Sequence, residues 1–444
     1  MRADQIVELT SAAPDFFADP YPAYRALRAQ APVRRLRMPG GEAVWMVLGY
    51  DAVRAALADP RLRNDIRHSA EFESDGGYAI GRNMLQVDPP DHTRLRALVS
   101  RQFTARRIAG LRPRIERISA GLLDAMAAAT GPVGPVEPVD PVGTAGPGGP
   151  GGPVGTAGPG GPVGPVDLVG AYAFPLPITV ICELLGVPVA DRAAFHDWSG
   201  KIVAFDDAEA AAAAAASMTA YFTGLIEEKR SLAPRADGRE DTQGAAGTDL
   251  LYALVRTHDE NGDHLSPDEL LGMAFLLLVA GHETTVNLIS SAVRLLLTHP
   301  DQLAALRADP GLLEGAIEET LRYEPPVQIA AYRYTAEPLT LAGTPIPKGE
   351  RVVISLAAAH RDPARFTDPD RFDIRRDPAA DRAQLAFSHG IHHCLGAPLA
   401  RLEAAVALPA LLDRFPRLAL DDASAAPEWR PSLLRGLRRL PVRW

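Results

Sequence analysis

Cysteine is scarce in this sequence. Its 444 residues include only Cys182 and Cys394, which is no disulfide framework and points to a reducing compartment. Excess positive charge is absent too. A net charge of −9 argues against nucleic acid as a general partner, and no DNA- or RNA-binding motif is present. The opening MRADQIVELTSAAPDFF has no basic start followed by an apolar run of about 7–15 residues, so it does not read as a signal peptide. Long apolar runs are missing as well. The strongest, Leu271–Gly281, is shorter than the ~20 residues of a membrane helix and leads straight into His282 and Glu283. These absences predict a soluble, cytoplasmic protein with no membrane anchor, and we expect it to be a monomer.

What is present is enough for a large core, since 47% of residues are apolar. At roughly 150 residues per domain the length allows three domains, but one large domain with an insertion fits equally. We read residues 1–444 as a single domain. Residues 132–164 are the insertion. They are built almost wholly from small residues and proline, and the unit PVGTAGPGGP occurs at 141–150 and again at 153–162. Such a segment cannot bury enough apolar surface to offset its ordering entropy, and it lacks the strict period of collagen. It is expected to be a mobile surface insertion.

Helical patterns dominate elsewhere. They cover 111–129 and 174–186 on either side of the insertion, then 191–204, 208–231, 267–298, 313–323 and 398–414, with a loop at 232–247. The 267–298 segment opens on Ser266, Pro267 and Glu269, a capping-box start. It should run roughly 45 Å at ~1.5 Å per residue. Short β-like runs lie at 329–335, 338–341, 351–355 and the C-terminus. The fold class is therefore mainly α with a minor β-sheet, placed in the C-terminal half.

The two cysteines have different settings. Cys182 lies in the apolar run ITVICELL and reads as inert packing. Cys394 closes the loop Phe387-Ser388-His389-Gly390-Ile391-His392-His393-Cys394-Leu395-Gly396, and a helix starts just after it at Pro398. A helix N-terminus favours a thiolate. Gly390 and Gly396 allow the tight turns that let a flat group approach. His389, His392, His393 and Cys394 also leave zinc open, although adjacent ligands on one short loop are sterically awkward.

A second unusual segment is Ala280-Gly281-His282-Glu283-Thr284-Thr285, in the middle of the longest apolar helix. Polar groups there are costly unless paired or facing a cavity. Ala280 and Thr284 share one face, and a threonine can bond a backbone carbonyl and loosen the helix.

The loop Phe387-x-x-Gly390-x-x-x-Cys394-x-Gly396 resembles the haem-binding signature of the cytochromes P-450, with Ser388 and His393 departing from the residues common there. The resemblance runs over nearly the whole chain outside the insertion. It implies the cytochrome P-450 fold, haem b, and Cys394 as the axial iron ligand. It implies that Glu283 and Thr284 are the family's acid–alcohol pair, relaying protons and hydrogen-bonding dioxygen, with Ala280 giving room beside them. It implies propionate clamps from His92, Arg96, Arg333 and His392. It implies a structural Glu–Arg–Arg triad of Glu319, Arg322 and Arg371. A substrate pocket would draw on Met84, Leu85, Ala280, Val327, Ile329, Leu433 and Leu434, mainly apolar.

Residues 94–117 hold eight arginines and a single acid, Glu116. By the same resemblance this is a docking face for an acidic ferredoxin, with Arg101, Arg106 and Arg107 as candidates, and electrons come from NAD(P)H through ferredoxin and its reductase. The implied reaction is O₂-dependent hydroxylation or epoxidation of an apolar small molecule. The chain is similar to soluble bacterial members that tailor polyketides and macrolides. Oxidative coupling, xenobiotic oxidation or a non-catalytic haem sensor are the alternatives.

Overall fold

The structure is a computed structural model. It describes residues 6–9, 13, 15–38, 40–73, 83–128, 165–203, 208–231, 249–257, 264–377, 384–422, 425–430, 432 and 434–444. The insertion at 132–164, the loop at 232–247 and Leu433 lie outside the described residues.

Eight helices carry the argument: α1 (Asp91–Ser100), α2 (Arg112–Ala128), α3 (Pro175–Leu185), α4 (Arg192–Val203), α5 (Ala208–Ser231), α6 (Pro267–Thr298), α7 (Leu313–Tyr323) and α8 (Ala397–Arg414). Most match the expected segments within a residue. The central one, α6, shows why. Ser266 accepts a hydrogen bond from the Glu269 N–H at 3.3 Å, and Glu269 accepts one from the Ser266 N–H at 2.8 Å. That capping box satisfies N–H groups that have no partner within the helix. At the other end His299, which precedes Pro300, leaves the helical region. By length and composition α6 could cross a membrane. Here it is a core helix, buried along most of its length against α3, α5, α7 and α8.

The strands are β1 (Val7–Glu8), β2 (Val33–Arg37), β3 (Ala43–Val47), β4 (Leu62–Arg63), β5 (Val166–Asp167), β6 (Arg333–Thr335), β7 (Leu339–Leu341), β8 (Thr344–Ile346), β9 (Arg351–Ile354), β10 (Ala419–Leu420) and β11 (Pro441–Arg443). The main sheet has the order β1-β2-β3-β9-β6-β4, so the sequence expectation needs correcting. Four of its six strands come from the first 63 residues, not from the C-terminal half. The run at 329–335 is also only partly strand, and Ile329 merely forms an isolated bridge to Ser355.

This sheet is buried on both faces. Val33, Trp45, Val47, Val352 and Ile354 belong to one apolar cluster, while Leu36, Val44, Met46 and Val353 belong to another. Alternation along each strand sorts them. The larger helical cluster is centred on α3, α6 and α8, and it takes in Cys182, which has no exposed surface. Burial pushes the Cys182 thiol up to about 12, which suits an inert packing group.

Candidate active site

The cysteine loop is held from several sides. The Cys394 N–H donates to the Phe387 carbonyl at 2.8 Å, and the Leu385 N–H donates to His360 Nε2 at 2.6 Å. His360 is fully buried, and burial followed by the charges of Arg322 and Arg361 pushes it down to about 3, so it stays neutral and can accept. Glu318 on α7 binds Arg401 on α8 through two bonds of 2.6 and 3.0 Å, and it also accepts from Gln384 at the start of the loop. Arg401 stacks over the Phe387 ring, 4.4 Å from its centroid. Sequence reasoning missed Glu318, His360, Gln384 and Arg401. No short motif joins them, because they come from four separate segments.

Gly390 adopts a positive φ of 76°, and a Cβ there would meet the Leu57 carbonyl at 3.0 Å. Gly396 has an ordinary helical conformation. Its N–H and that of Ala397 instead point at the Cys394 sulfur. Cys394 keeps an exposed surface while chain atoms crowd its other sides. That desolvation pushes the thiol up, against the pull of those two N–H groups, Arg96 and Arg401. The helix N-terminus alone therefore does not secure a thiolate, contrary to the expectation from its position. A metal ion bonded to sulfur would supply the missing stabilisation.

The zinc alternative finds no ligand set. Among the described residues no three histidine, cysteine or acidic side chains are grouped to hold a metal ion.

Four cationic or donor residues do converge. The His92 and His392 rings lie 4.3 Å apart between centroids. Arg96 donates to the His393 carbonyl at 2.7 Å, and Arg333, only 2% exposed, donates to the Ala331 carbonyl at 2.7 Å. Both ring nitrogens of His92 are buried without a hydrogen-bond partner. Burial, Arg333, His92 and Arg96 push His392 down to about 3. Burial pushes Arg333 down to about 10, with only Asp88 opposing. Buried groups that repel one another in this way fit a ligand bearing carboxylates. The donor set and the single thiol thus fit an iron porphyrin with two propionates.

On α6 the described side chains alternate between core and an open face. Leu276 and Thr284 are half-buried and Ala280 is exposed, at i, i+4 and i+8 of an otherwise buried helix. Thr284 Oγ1 donates to the Ala280 carbonyl at 3.0 Å. Glu283 is 2% exposed and points away from that face. Its Oε1 lies 3.1 Å from Ser199 Oγ on α4 and 3.4 Å from His282 Nε2, and its Oε2 lies 3.6 Å from Arg430. Burial would raise the Glu283 carboxyl. The hydrogen bond and charge of His282, with Arg430 and Ser199, outweigh burial and hold it below the usual range. Ser199 and Arg430 carried no sequence signal, since neither lies near the motif.

The triad needs one correction. Arg322 and Glu319, both without exposed side-chain surface to speak of, pair through two bonds of 2.6 and 2.7 Å. The second arginine on Glu319 is Arg376, at 3.2 Å. Arg371 gives only its carbonyl to Arg322, and its own side chain is 65% exposed beside Asp373.

Of the expected pocket residues, Val327 and Leu434 are joined by a β-bridge, and the Met84 N–H approaches the Met273 sulfur on α6 at 3.5 Å. Leu85 is half-buried nearby. Ile329 is corrected: it is 3% exposed, packed in the cluster with Leu36 and Val353, and offers no open face. The arginine stretch is less uniformly basic than its sequence. Arg94, Arg112 and Arg114 are held by Glu269, Glu116 and Glu183. Arg101 and Arg106 are exposed, and Arg107 is half-buried beside Gln102.

The family model for cytochrome P450 matches residues 205–428. The chain is 51% identical over 440 residues to the cytochrome P450 monooxygenase PikC of Streptomyces venezuelae, covering 99% of this chain and 94% of that protein. It is 41% identical to the 6-deoxyerythronolide B hydroxylase of Saccharopolyspora erythraea, covering 96% of each. Among solved structures, the tirandamycin C-bound P450 monooxygenase TamI superimposes with a TM-score of 0.81 at 40% identity, covering 98% of this chain and 99% of that one. With a haem-fitting cradle around one cysteine and relatives of this identity along its whole length, the chain belongs to the cytochrome P450 family and is a monooxygenase.

Proposed function

We propose that this enzyme hydroxylates or epoxidises an apolar polyketide or macrolide in a secondary-metabolite pathway. It acts as a cytoplasmic monomer, with electrons passing from NAD(P)H through a ferredoxin reductase and a ferredoxin. Bound haem supplies the oxygen-activating chemistry. The observation that carries the reading is the open α6 face of Leu276, Ala280 and Thr284, set beside the buried acid Glu283.

Cys394 would hold the iron, and His92, Arg96, Arg333 and His392 would bind the propionates. Phe387, Gly390 and Gly396 shape the loop below. Thr284 offers a hydroxyl at the reaction site, already directed along the helix by the Ala280 carbonyl. Glu283 carries protons inward from the side of partly exposed Arg430. Met84, Leu85, Val327 and Leu434 line an apolar pocket, which suits a ligand whose affinity comes from buried hydrocarbon. The relatives named for 6-deoxyerythronolide B and for tirandamycin C support that substrate class. Ferredoxin docks on Arg101, Arg106 and Arg107.

The test is an absorption spectrum of the purified protein, reduced under carbon monoxide, followed by spin-state titration with macrolactones including 6-deoxyerythronolide B. A strongly red-shifted Soret band and a spin shift are expected. A protein without haem absorption would overturn the reading.

A further inference from the structure

The buried cluster behind Glu283 has a proton count that its hydrogen bonds dictate. Ser199 and His282 have no exposed surface, and Glu283 is 2% exposed. His282 Nδ1 lies 2.8 Å from the Leu278 carbonyl. A carbonyl only accepts, so Nδ1 carries a proton. Ser199 Oγ lies 2.9 Å from His282 Nε2 and 3.1 Å from Glu283 Oε1. The serine has one proton to donate and two acceptor-capable neighbours. If Nε2 and the carboxylate were both bare, one contact would be a lone-pair repulsion in a site with no exposed surface. One further proton must therefore sit on Nε2 or on the carboxyl.

The surroundings choose between the two. Arg430 faces Glu283 Oε2 at 3.6 Å and favours the carboxylate. The Phe174 ring stands perpendicular to the His282 ring, 5.7 Å between centroids, and brings no charge of its own. The arrangement that fits these contacts has an imidazolium donating to Ser199 at 2.9 Å and Ser199 donating to the Glu283 carboxylate at 3.1 Å, both shorter than the 3.4 Å between Nε2 and Glu283 Oε1 directly.

We propose that His282 is a one-proton store for Glu283, coupled to it through the Ser199 hydroxyl of α4. This rests on the reading of Glu283 as the inward proton carrier. In the transfer, the Nε2 proton passes to Ser199 Oγ as the serine proton passes to Glu283 Oε1. The products are a neutral imidazole, an unchanged hydroxyl and a carboxylic acid. The acid gives that proton toward Thr284 only after its side chain turns from this resting position, and one proton from water near Arg430 restores the store by the reverse path. His282 and Ser199 are positioning and relay residues and need not touch substrate. Because Ser199 belongs to a different helix from the other two, displacement of α4 from α6 would leave His282 and Glu283 only their longer direct contact of 3.4 Å.

The experiment is nitrogen-15 NMR of histidine-labelled holoprotein in the diamagnetic ferrous carbon monoxide form, with His282 assigned from its loss in His282→Gln. Protons on both ring nitrogens in the wild type, and on Nδ1 alone in Glu283→Gln, are expected. A wild-type ring protonated only at Nδ1 would overturn the proposal. With the substrate returned by the spin-state screen, His282→Gln and Ser199→Ala should each lower product formed per NADPH roughly tenfold, and Ser199→Thr should restore most of it. Full coupling in His282→Gln, with coupling lost in Glu283→Gln, removes the store but keeps the acid. Full coupling in Glu283→Gln removes the acid role itself.

Discussion

Arg376 reaches the buried carboxylate of Glu319 at 3.2 Å, while the Arg371 side chain turns out to solvent. Removing one partner from a buried charge network is costly, and trimming an exposed arginine is not. Arg376→Ala should lower unfolding stability by roughly 1–3 kcal/mol, whereas Arg371→Ala should stay within about 0.5 kcal/mol. Paired denaturant titrations decide this. An Arg376→Ala effect no larger than that of Arg371→Ala would overturn the assignment of Arg376 to the network.

Thr284→Ala frees the Ala280 carbonyl and deletes the hydroxyl on the open face of α6. Product formed per NADPH should fall at least about tenfold, against the roughly 10²–10⁴-fold that general acid–base catalysis contributes, with hydrogen peroxide making up the difference. The check is a stoichiometry of NADPH, product and peroxide. Unchanged coupling would take Thr284 out of proton delivery.

Glu403 on α8 is fully buried, its Oε2 has no hydrogen-bond partner, and burial pushes its carboxyl up to about 8. Its folded value lies above its unfolded value, so the native state binds the extra proton between the two. Stability then falls as pH rises through that window, by up to about 1.4 kcal/mol per pH unit. His360, shifted the opposite way, contributes no slope above its unfolded value near 6.5. Between about pH 6.5 and 8 the fall should be visible in the wild type and absent in Glu403→Gln. Parallel stability curves for the two proteins would refute this.

Ser388 sits at φ 65°, in the left-handed region where a side chain costs roughly 1–2 kcal/mol. Glycine there relieves that strain but loses more entropy on folding. Ser388→Gly should therefore gain about 0.5–1 kcal/mol, read as a higher denaturant midpoint. A lower midpoint would mean that the serine makes a compensating contact.

Glutamate at Arg101, Arg106 and Arg107 together should slow reduction by an acidic ferredoxin at low salt, and the deficit should shrink as the Debye length falls below about 10 Å. Arg112→Glu is the control, since Arg112 already faces Glu116. Stopped-flow reduction at two ionic strengths measures it. Equal rates at low salt would move the docking face elsewhere.

Much of this was legible in the sequence because it is local. The long helix with its capping box, the cysteine loop and the Ala280–Thr284 face each reside in one short segment. What escaped reading depends on distant chain. β2 carries three arginines in VRRLR, and β3 is the unbroken apolar run AVWMV, so neither shows an exposed and a buried face that would mark a strand. Arg376 rather than Arg371 meets Glu319 because the turn after Phe372 reverses the chain, and spacing alone does not show that. Ser199 and Arg430 meet Glu283 only through tertiary packing, from positions far apart in the chain.

The parallel pairing of β3 with β9, Trp45 opposite Val352, joins segments about 300 residues apart. At ~5–20 residues per second, a ribosome needs on the order of 15–60 s to deliver the second strand after the first. Throughout that interval the apolar edge of β3 has no native neighbour, and an unpaired edge is a template for wrong pairing. Shielding of that edge by chaperones until the second half arrives is therefore expected to favour correct folding. Heterologous yield should respond more to chaperone supply and translation rate than to substitutions around the haem.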